Sequence, residues 1–448
     1  MDNRVVWIAA WVVAVGSMVP MAAHAQAPVP AVVTVRVTLE EARARALAAS
    51  HRLAEARARE DVAKAVMASR AAADRPVVSA QAGYTRTNHV VEFTVPSPTG
   101  VPRVLYPDVP DNYRTRLDLQ WPIYTGGRAD ALERAASAEA AAAATDVETA
   151  RADLRLEVAR AFWAVVTGRA SVTVLEEAVE RARVNVNDAR QRVNAGLVPP
   201  NEVASAEAQQ ARQRMLLVEA RNQRDVAAAE LARLMGLDPA QPVDPVAVLE
   251  RDDARATSFD QLTREGLTLR PERKALELRV TAADLQRAAA AAGRRPTIAI
   301  AGGVDYTRPN PRIFPRADRW DDSWDAGINV SWSLWDGGRV AAEVAQASAT
   351  ATALRQRVQE FDSVLAVEVR QRSLEIESGA AAIVAADEAV RAAAEARRVV
   401  GERYRAGVIA QGDVLDAELA LLQNQLERTR ALANVRLAEA RLDRALGR

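Results

Sequence analysis

The octapeptide Trp121-Pro122-Ile123-Tyr124-Thr125-Gly126-Gly127-Arg128 returns as Trp332-Ser333-Leu334-Trp335-Asp336-Gly337-Gly338-Arg339, 211 residues later. The same offset carries Ala195-Gly196-Leu197 onto Ala406-Gly407-Val408, and Leu234-Met235-Gly236 onto Ala445-Leu446-Gly447. A spacing held without a gap across that span marks a duplicated rigid element, so both halves must share one fold. Upstream, Arg75-Pro76 matches Arg295-Pro296 at an offset of 220. The first copy therefore holds nine more residues between Pro76 and Trp121, which reads as a longer surface loop.

Each copy runs helix, two strands, very long helix, tight turn, returning helix. The pattern predicts helices over 39–73, 129–195, 202–235, 259–293, 340–406 and 413–446. No Pro occurs between 129 and 195, and Gly168 is the only Gly there. Such a helix would reach about 100 Å at 1.5 Å per residue, and the two shorter helices of the first copy, end to end, would span about the same distance. Val172, Leu175, Val179, Ala182, Val186, Ala189 and Val193 keep a 3,4 spacing, and their copies run from Ile383 through Arg397 to Tyr404. Heptad spacing predicts left-handed helix pairs packed knobs into holes. Only 4% of residues are aromatic and 26% are charged, with abundant Ala, a mixture that suits close helix packing. A soluble filament would share all of this, so the helices alone do not fix a function.

The strands carry period 2. Over 113–121 the even positions are polar, and over 324–334 the even positions are apolar or small. Their partners are expected at 77–86 and 297–307, where Ile298, Ile300, Val304 and Tyr306 share a face. Strands of about ten residues, apolar outside and polar inside with aromatic ends, are the signature of an outer-membrane barrel. A soluble antiparallel sheet with one buried face gives similar alternation. Four strands per chain are too few to close a membrane barrel, whereas three chains supply twelve. On this reading Arg114, Arg116, Asp118 and Gln120 face the lumen while Leu117 and Leu119 face lipid. Trp121 and Trp332 would form one aromatic girdle, Tyr113 and Trp324 the other.

Val5 to Val19 is apolar, Arg4 precedes it, and Ala23-His24-Ala25 follows as a small-x-small pattern. This predicts a signal peptide over 1–25, cleaved to leave Gln26 as N-terminus; the competing reading is a retained anchor. No later apolar run of membrane-spanning length is expected. The 59 basic and 59 acidic residues cancel, which gives no footing for a nucleic-acid partner. The absence of Cys excludes thiol catalysis, Cys-ligated zinc, disulfides and a lipidated N-terminal cysteine. His24, His51 and His89 are too scattered for a metal site or a triad, so no enzyme, cofactor or metal is expected.

The chain resembles the TolC family of outer-membrane efflux proteins. The resemblance rests on Thr38-Leu39-Glu40-Glu41-Ala42, on the aromatic-x-x-aromatic-x-Gly-Gly-Arg junctions with their glycines (Gly126, Gly127, Gly337 and Gly338), and on two tips. The tips are the stretch from Arg192 through Gly196 to Val203 and that from Arg403 through Gly407 to Ala417. It implies a mainly α fold with a small β-barrel contribution: long coiled-coil hairpins plus four strands per chain, forming in the trimer a 12-stranded outer-membrane barrel and a periplasmic helical tunnel. It implies a homotrimer set in outer-membrane lipid, reaching into the periplasm, with a periplasmic adaptor (membrane fusion) protein and an inner-membrane pump as partners. It also implies an exit duct for small molecules. A type I protein-secretion duct is an alternative, and a secreted structural coiled-coil protein is another of a different class. The repeats are expected over 26–236 and 258–448, with a linker over 237–257. By the resemblance, Asp413 and Asp416 line the periplasmic aperture, Tyr404 and Glu202 are gate contacts, and Gly196 and Gly407 are tip turns. Asp413 also reads as a helix N-cap or first-turn acid, Asp416 as a solvated face residue, and Tyr404 as a packing residue. Ile409 stands where the family's gating arginine is expected, leaving Arg405 or Arg192 as replacements.

Overall fold

The computed structural model describes residues 34–98, 100–250 and 258–448; the expected signal peptide and its cleavage point lie outside them. The first copy holds β1 (Val35–Val37), α1 (Leu39–Ala49), α2 (His51–Ala71), β2 (Val77–Arg86), β3 (Phe93–Val95), β4 (Arg103–Tyr106), β5 (Asp111–Tyr124), α3 (Arg128–Asn194) and α4 (Asn201–Leu234). β6 (Val243–Pro245) follows, then α5 (Phe259–Leu269), α6 (Pro271–Ala291), β7 (Thr297–Arg308), β8 (Asp321–Ser331), α7 (Arg339–Arg405) and α8 (Gln411–Leu446). The chain is mainly helical with one four-stranded antiparallel sheet, in the order β2-β5-β7-β8.

The opening Thr38-x-x-Glu41 is a capping box. Glu41 N–H donates to Thr38 Oγ1 at 3.3 Å, and Thr38 N–H donates to Glu41 Oε2 at 2.9 Å, meeting two donors that a helix start leaves free. The helix expected as continuous over 39–73 breaks at Ser50, which is extended and caps α2 by accepting from Leu53 N–H at 3.2 Å. Its counterpart over 259–293 breaks at Arg270, where Pro271 disfavours helical geometry in the preceding residue and starts α6 at its first position. Each break receives the end of a returning helix. Gly236, just past α4, lies so close to Ala49 that a Cβ there would come within 2.4 Å, and Gly447, past α8, abuts the Leu269 and Arg270 backbone.

A second difference lies in the expected linker. Its residues 243–245 form β6, which pairs in parallel with β1, Val35 opposite Val243. Arg169 of α3 fixes β6 by donating to Asp244 Oδ1 at 2.8 Å and to Pro245 O at 3.1 Å. Around this pair lies the largest apolar cluster, with Phe162, Val158, Val165, Leu231 and Val37 nearly inaccessible. Each such large side chain contributes about 1.5–3 kcal/mol. Leu262, Leu365, Val369, Ala445 and Leu446 form the matching cluster of the second copy.

Helix α3 occupies the middle of the layer, against α1, α2, α4, α6 and α8, while α7 forms one edge beside α5, α6 and α8. This explains an asymmetry in the heptads. Val172, Leu175, Ala182, Val186 and Ala189 are buried, but in α7 only Ile383 and Tyr404 of the copied positions are. The expectation of no long apolar run past residue 25 needs correction: α3 contains one stretch long and apolar enough to cross a membrane by length and composition. A core helix with this many neighbours carries the same composition.

Candidate functional site

Both tips reverse by one device. Leu197 N–H donates to Arg192 O at 2.9 Å and Gly196 N–H to Val193 O at 2.9 Å; in the second tip Val408 reaches Arg403 O and Gly407 reaches Tyr404 O. These six-to-one and five-to-two bonds need a left-handed residue, supplied by Gly196 at φ +68° and Gly407 at φ +76°.

The tips meet through Tyr404. The residue is 8% exposed, and its ring lies under the Arg192 guanidinium, 4.2 Å from the centroid. Arg192 also donates to Tyr404 O at 3.0 Å, and the Tyr404 hydroxyl donates to Glu202 Oε2 at 3.3 Å. Burial, then the charge of Glu202, pushes the phenol pKa up against the opposing pull of Arg192, so the hydroxyl keeps the proton it donates. Arg192, rather than the exposed Arg405, is the arginine that meets the tyrosine. Asp413 and Asp416 lie in the first turns of α8, one turn apart and exposed, with no hydrogen bond or ion pair to any described residue. Ala410, not Asp413, is the N-cap, and no side chain caps this helix. Asp413 therefore has the first-turn position favoured by the helix dipole without the capping bond.

Above the tips lies a clasp that sequence reasoning missed. Glu418 of α8, 7% exposed, accepts from Arg181 of α3 at 3.0 Å and from Arg397 of α7 at 3.1 Å. The signal was present: Arg397 occupies an apolar heptad position, and a cation there requires a buried anionic partner.

At the other end of the helices, the junction glycines turn strand into helix. Gly126 and Gly127 have φ +68° and +84°, and Gly337 and Gly338 have +68° and +89°. Arg295 donates to Gly126 O at 3.0 Å, and Asp336 accepts from the amides of Gly338 and Val340 at 2.9 Å. Trp121 Nε1 donates to Asp74 O at 3.1 Å and Trp332 Nε1 to Arg294 O at 3.0 Å, equivalent bonds in the two copies.

The sheet between them has two unlike faces. Leu117 lies opposite Val304 and Val304 opposite Trp324, an apolar face on which these three are 53%, 52% and 72% exposed. On the other face Arg116 pairs with Asp118, Asp305 and Asp325, and Arg114 pairs with Asp305 at 2.9 Å. A Cβ on Gly303 would strike the Arg116 guanidinium, so glycine there lets Arg116 cross β7. An aromatic cluster forms at the end of the sheet remote from the helices. Trp320 stacks on Tyr306 at 4.9 Å and meets Tyr113 at 5.8 Å, while the register places Trp324, three residues past the start of β8, opposite Val304.

The chain is similar over 226 residues to Protein CyaE of Bordetella pertussis, at 27% identity, covering 49% of this chain and 46% of that protein. The chain thus spans about half the length of this curated relative. Among solved structures it is similar to the outer membrane protein VceC from Vibrio cholerae, with 22% identity and TM-score 0.74 over 91% of this chain and 96% of that one. It is also similar to the Campylobacter jejuni CmeC outer membrane channel, with 17% identity and TM-score 0.75 over 91% and 85%. These structures share the fold. The outer membrane efflux protein family matches residues 42–237 and 262–448, most of the chain. The chain belongs to the outer membrane efflux protein family, whose members are channels and not enzymes.

Proposed function

We propose that three copies of this chain assemble into a duct whose sheets close a twelve-stranded outer-membrane barrel and whose helices form a periplasmic tunnel about 100 Å long. The observation that carries this is the four-stranded sheet itself, with one charged face, one exposed apolar face, and β2 and β8 as unpaired edges. Open edges cannot be satisfied in lipid, and closure by neighbouring copies pairs both. The helical layer has matching loose edges, with Val62, Met215 and Val218 exposed on α2 and α4, and Val364 and Val367 on α7.

In this reading the mature protein starts at Gln26, carries no lipid, and consists of the repeats 26–236 and 258–448. It serves as the exit duct of a tripartite pump, receiving small molecules through a periplasmic adaptor from an inner-membrane pump. The unpartnered Asp413 and Asp416 of three copies ring the periplasmic opening, and the Tyr404–Glu202 contact holds the tips. Purification in detergent with light scattering tests the assembly, the expected mass being that of three chains. A stable monomer soluble without detergent would sink the proposal.

A further inference from the structure

The β7–β8 connection, residues 309–320, folds back across the charged face of the sheet. Asn310 is 2% exposed; its amide donates to Asp321 O at 3.2 Å and Ser323 Oγ at 3.1 Å, and its carbonyl oxygen accepts from Arg312 N–H at 2.9 Å. That turn sends Arg312 inward along β8, where it donates to Trp324 O at 2.7 Å and Asp325 Oδ1 at 3.1 Å. Arg316 reaches the opposite way. Its backbone N–H meets Leu105 O at 3.3 Å, and its guanidinium donates to Asn112 Oδ1 at 2.8 Å and lies 5.0 Å over the Tyr106 ring. The segment therefore spans from β8 to β5 and β4, and Pro309, Pro311 and Pro315 restrict its backbone. Beneath it lies a recess of about 500 Å³, bordered by Gln81, Thr85, Arg114 and Thr307 among others.

The anchors differ in kind. Arg116, with 15% of its side chain exposed, is a fixed staple across β5, β7 and β8. The Arg312–Asp325 pair is 48% and 37% exposed, the sort of ion pair that salt and water weaken. We infer that residues 309–320 form an exit-side strap that narrows the outer end of the lumen, with the exposed Arg312 as its releasable latch and the half-buried Arg316 as the second. This rests on the barrel reading, in which the charged face lines the lumen and three straps converge on its axis.

Planar-bilayer recording of the full-length protein tests both readings separately. Wild-type conductance steps establish the channel; their absence removes the barrel reading and the strap with it. Replacing both latches, Arg312→Ala with Arg316→Ala, should raise the unitary conductance, and raise it further in a Tyr404→Phe background, because the exit strap and the periplasmic tip act as resistances in series. Arg86→Ala, which removes an arginine at the same end that pairs with Asp111 and not with the strap of its own chain, should leave the conductance unchanged. In a chain without native Cys, adding Asn310→Cys and Ser323→Cys to the double-Ala variant and oxidising it should restore wild-type conductance, and a reductant should release it. Unaltered conductance on loss of both latches, or an equal rise in Arg86→Ala, would overturn the strap. Should the double variant not assemble, maleimide labelling of Ser323→Cys from outside intact cells gives a second reading. Labelling should accelerate with Arg312→Gln, and equal rates would overturn the inference.

Discussion

At the residue scale the tip is a case of charge left free beside charge held. The Asp413 and Asp416 carboxylates have no partner among the described residues, whereas Glu202 holds the Tyr404 hydroxyl and Glu418 is clasped by two arginines. Three copies of the free pair around one opening would concentrate cations there. Asp413→Asn with Asp416→Asn should relieve block by multivalent cations added on the periplasmic side of a bilayer, with the trimer intact; unchanged block would leave these acids with only a helix-terminal role. Tyr404→Phe should raise conductance by freeing the tip. The folded-state pKa of Tyr404 is raised above the usual value of about 10, so the stabilisation it contributes is fully present below that pH and is lost as pH rises through the folded value. The wild-type tip should thus hold its conductance from neutrality to about pH 9, opening only in stronger alkali. The family resemblance implied Tyr404 and Glu202 as partners, but the Arg192 stacking depends on how two distant turns meet.

At the element scale the long helices approach closely at one repeated point. A Cβ on Gly168 of α3 would lie 3.1 Å from Arg224 Cα of α4, and a Cβ on Gly379 of α7 would lie 2.5 Å from Val435 of α8. Gly379→Ala should therefore cost about 1–3 kcal/mol by overpacking. Gly401→Ala in the same helix meets only the far end of Arg405 at 3.9 Å and should stabilise by about 0.5–1 kcal/mol. Denaturant unfolding followed by helical circular dichroism separates them; equal effects would mean the crossing is loose. The sheet permits a similar comparison. Leu119→Arg should cost about 2–4 kcal/mol in lipid vesicles near the membrane midplane, while Gln120→Arg is tolerated. Equal tolerance would mean the two faces are misassigned. Strands and long helices were legible because periods of 2 and 3.5 repeat over many residues. The break at Ser50 was not, because one capping hydroxyl leaves no periodic trace.

For the whole molecule, what matters is what a single copy leaves uncovered. Val367 is 67% exposed on α7, at the edge of the layer. If a neighbouring copy covers it, Val367→Arg should shift the detergent-extracted protein from trimer toward monomer in sedimentation while the helical content of each chain persists. An undisturbed trimer would place the contact between copies elsewhere.

The sequence by itself determined the duplication, the order of elements, the alternation of the strands and the reversal at both tips. Each of these is written in local spacing or in glycines whose backbone conformation other residues resist. Only the tertiary structure decided that the expected linker supplies β6, that returning helices end in the breaks of α1–α2 and α5–α6, and that Trp320 stacks on Tyr306. It also decided which carboxylate meets which arginine, since Glu418, Arg181 and Arg397 come from three helices. These outcomes follow from register and from contacts between segments far apart in the chain, where a shift of one residue changes the partner and leaves the local pattern unaltered.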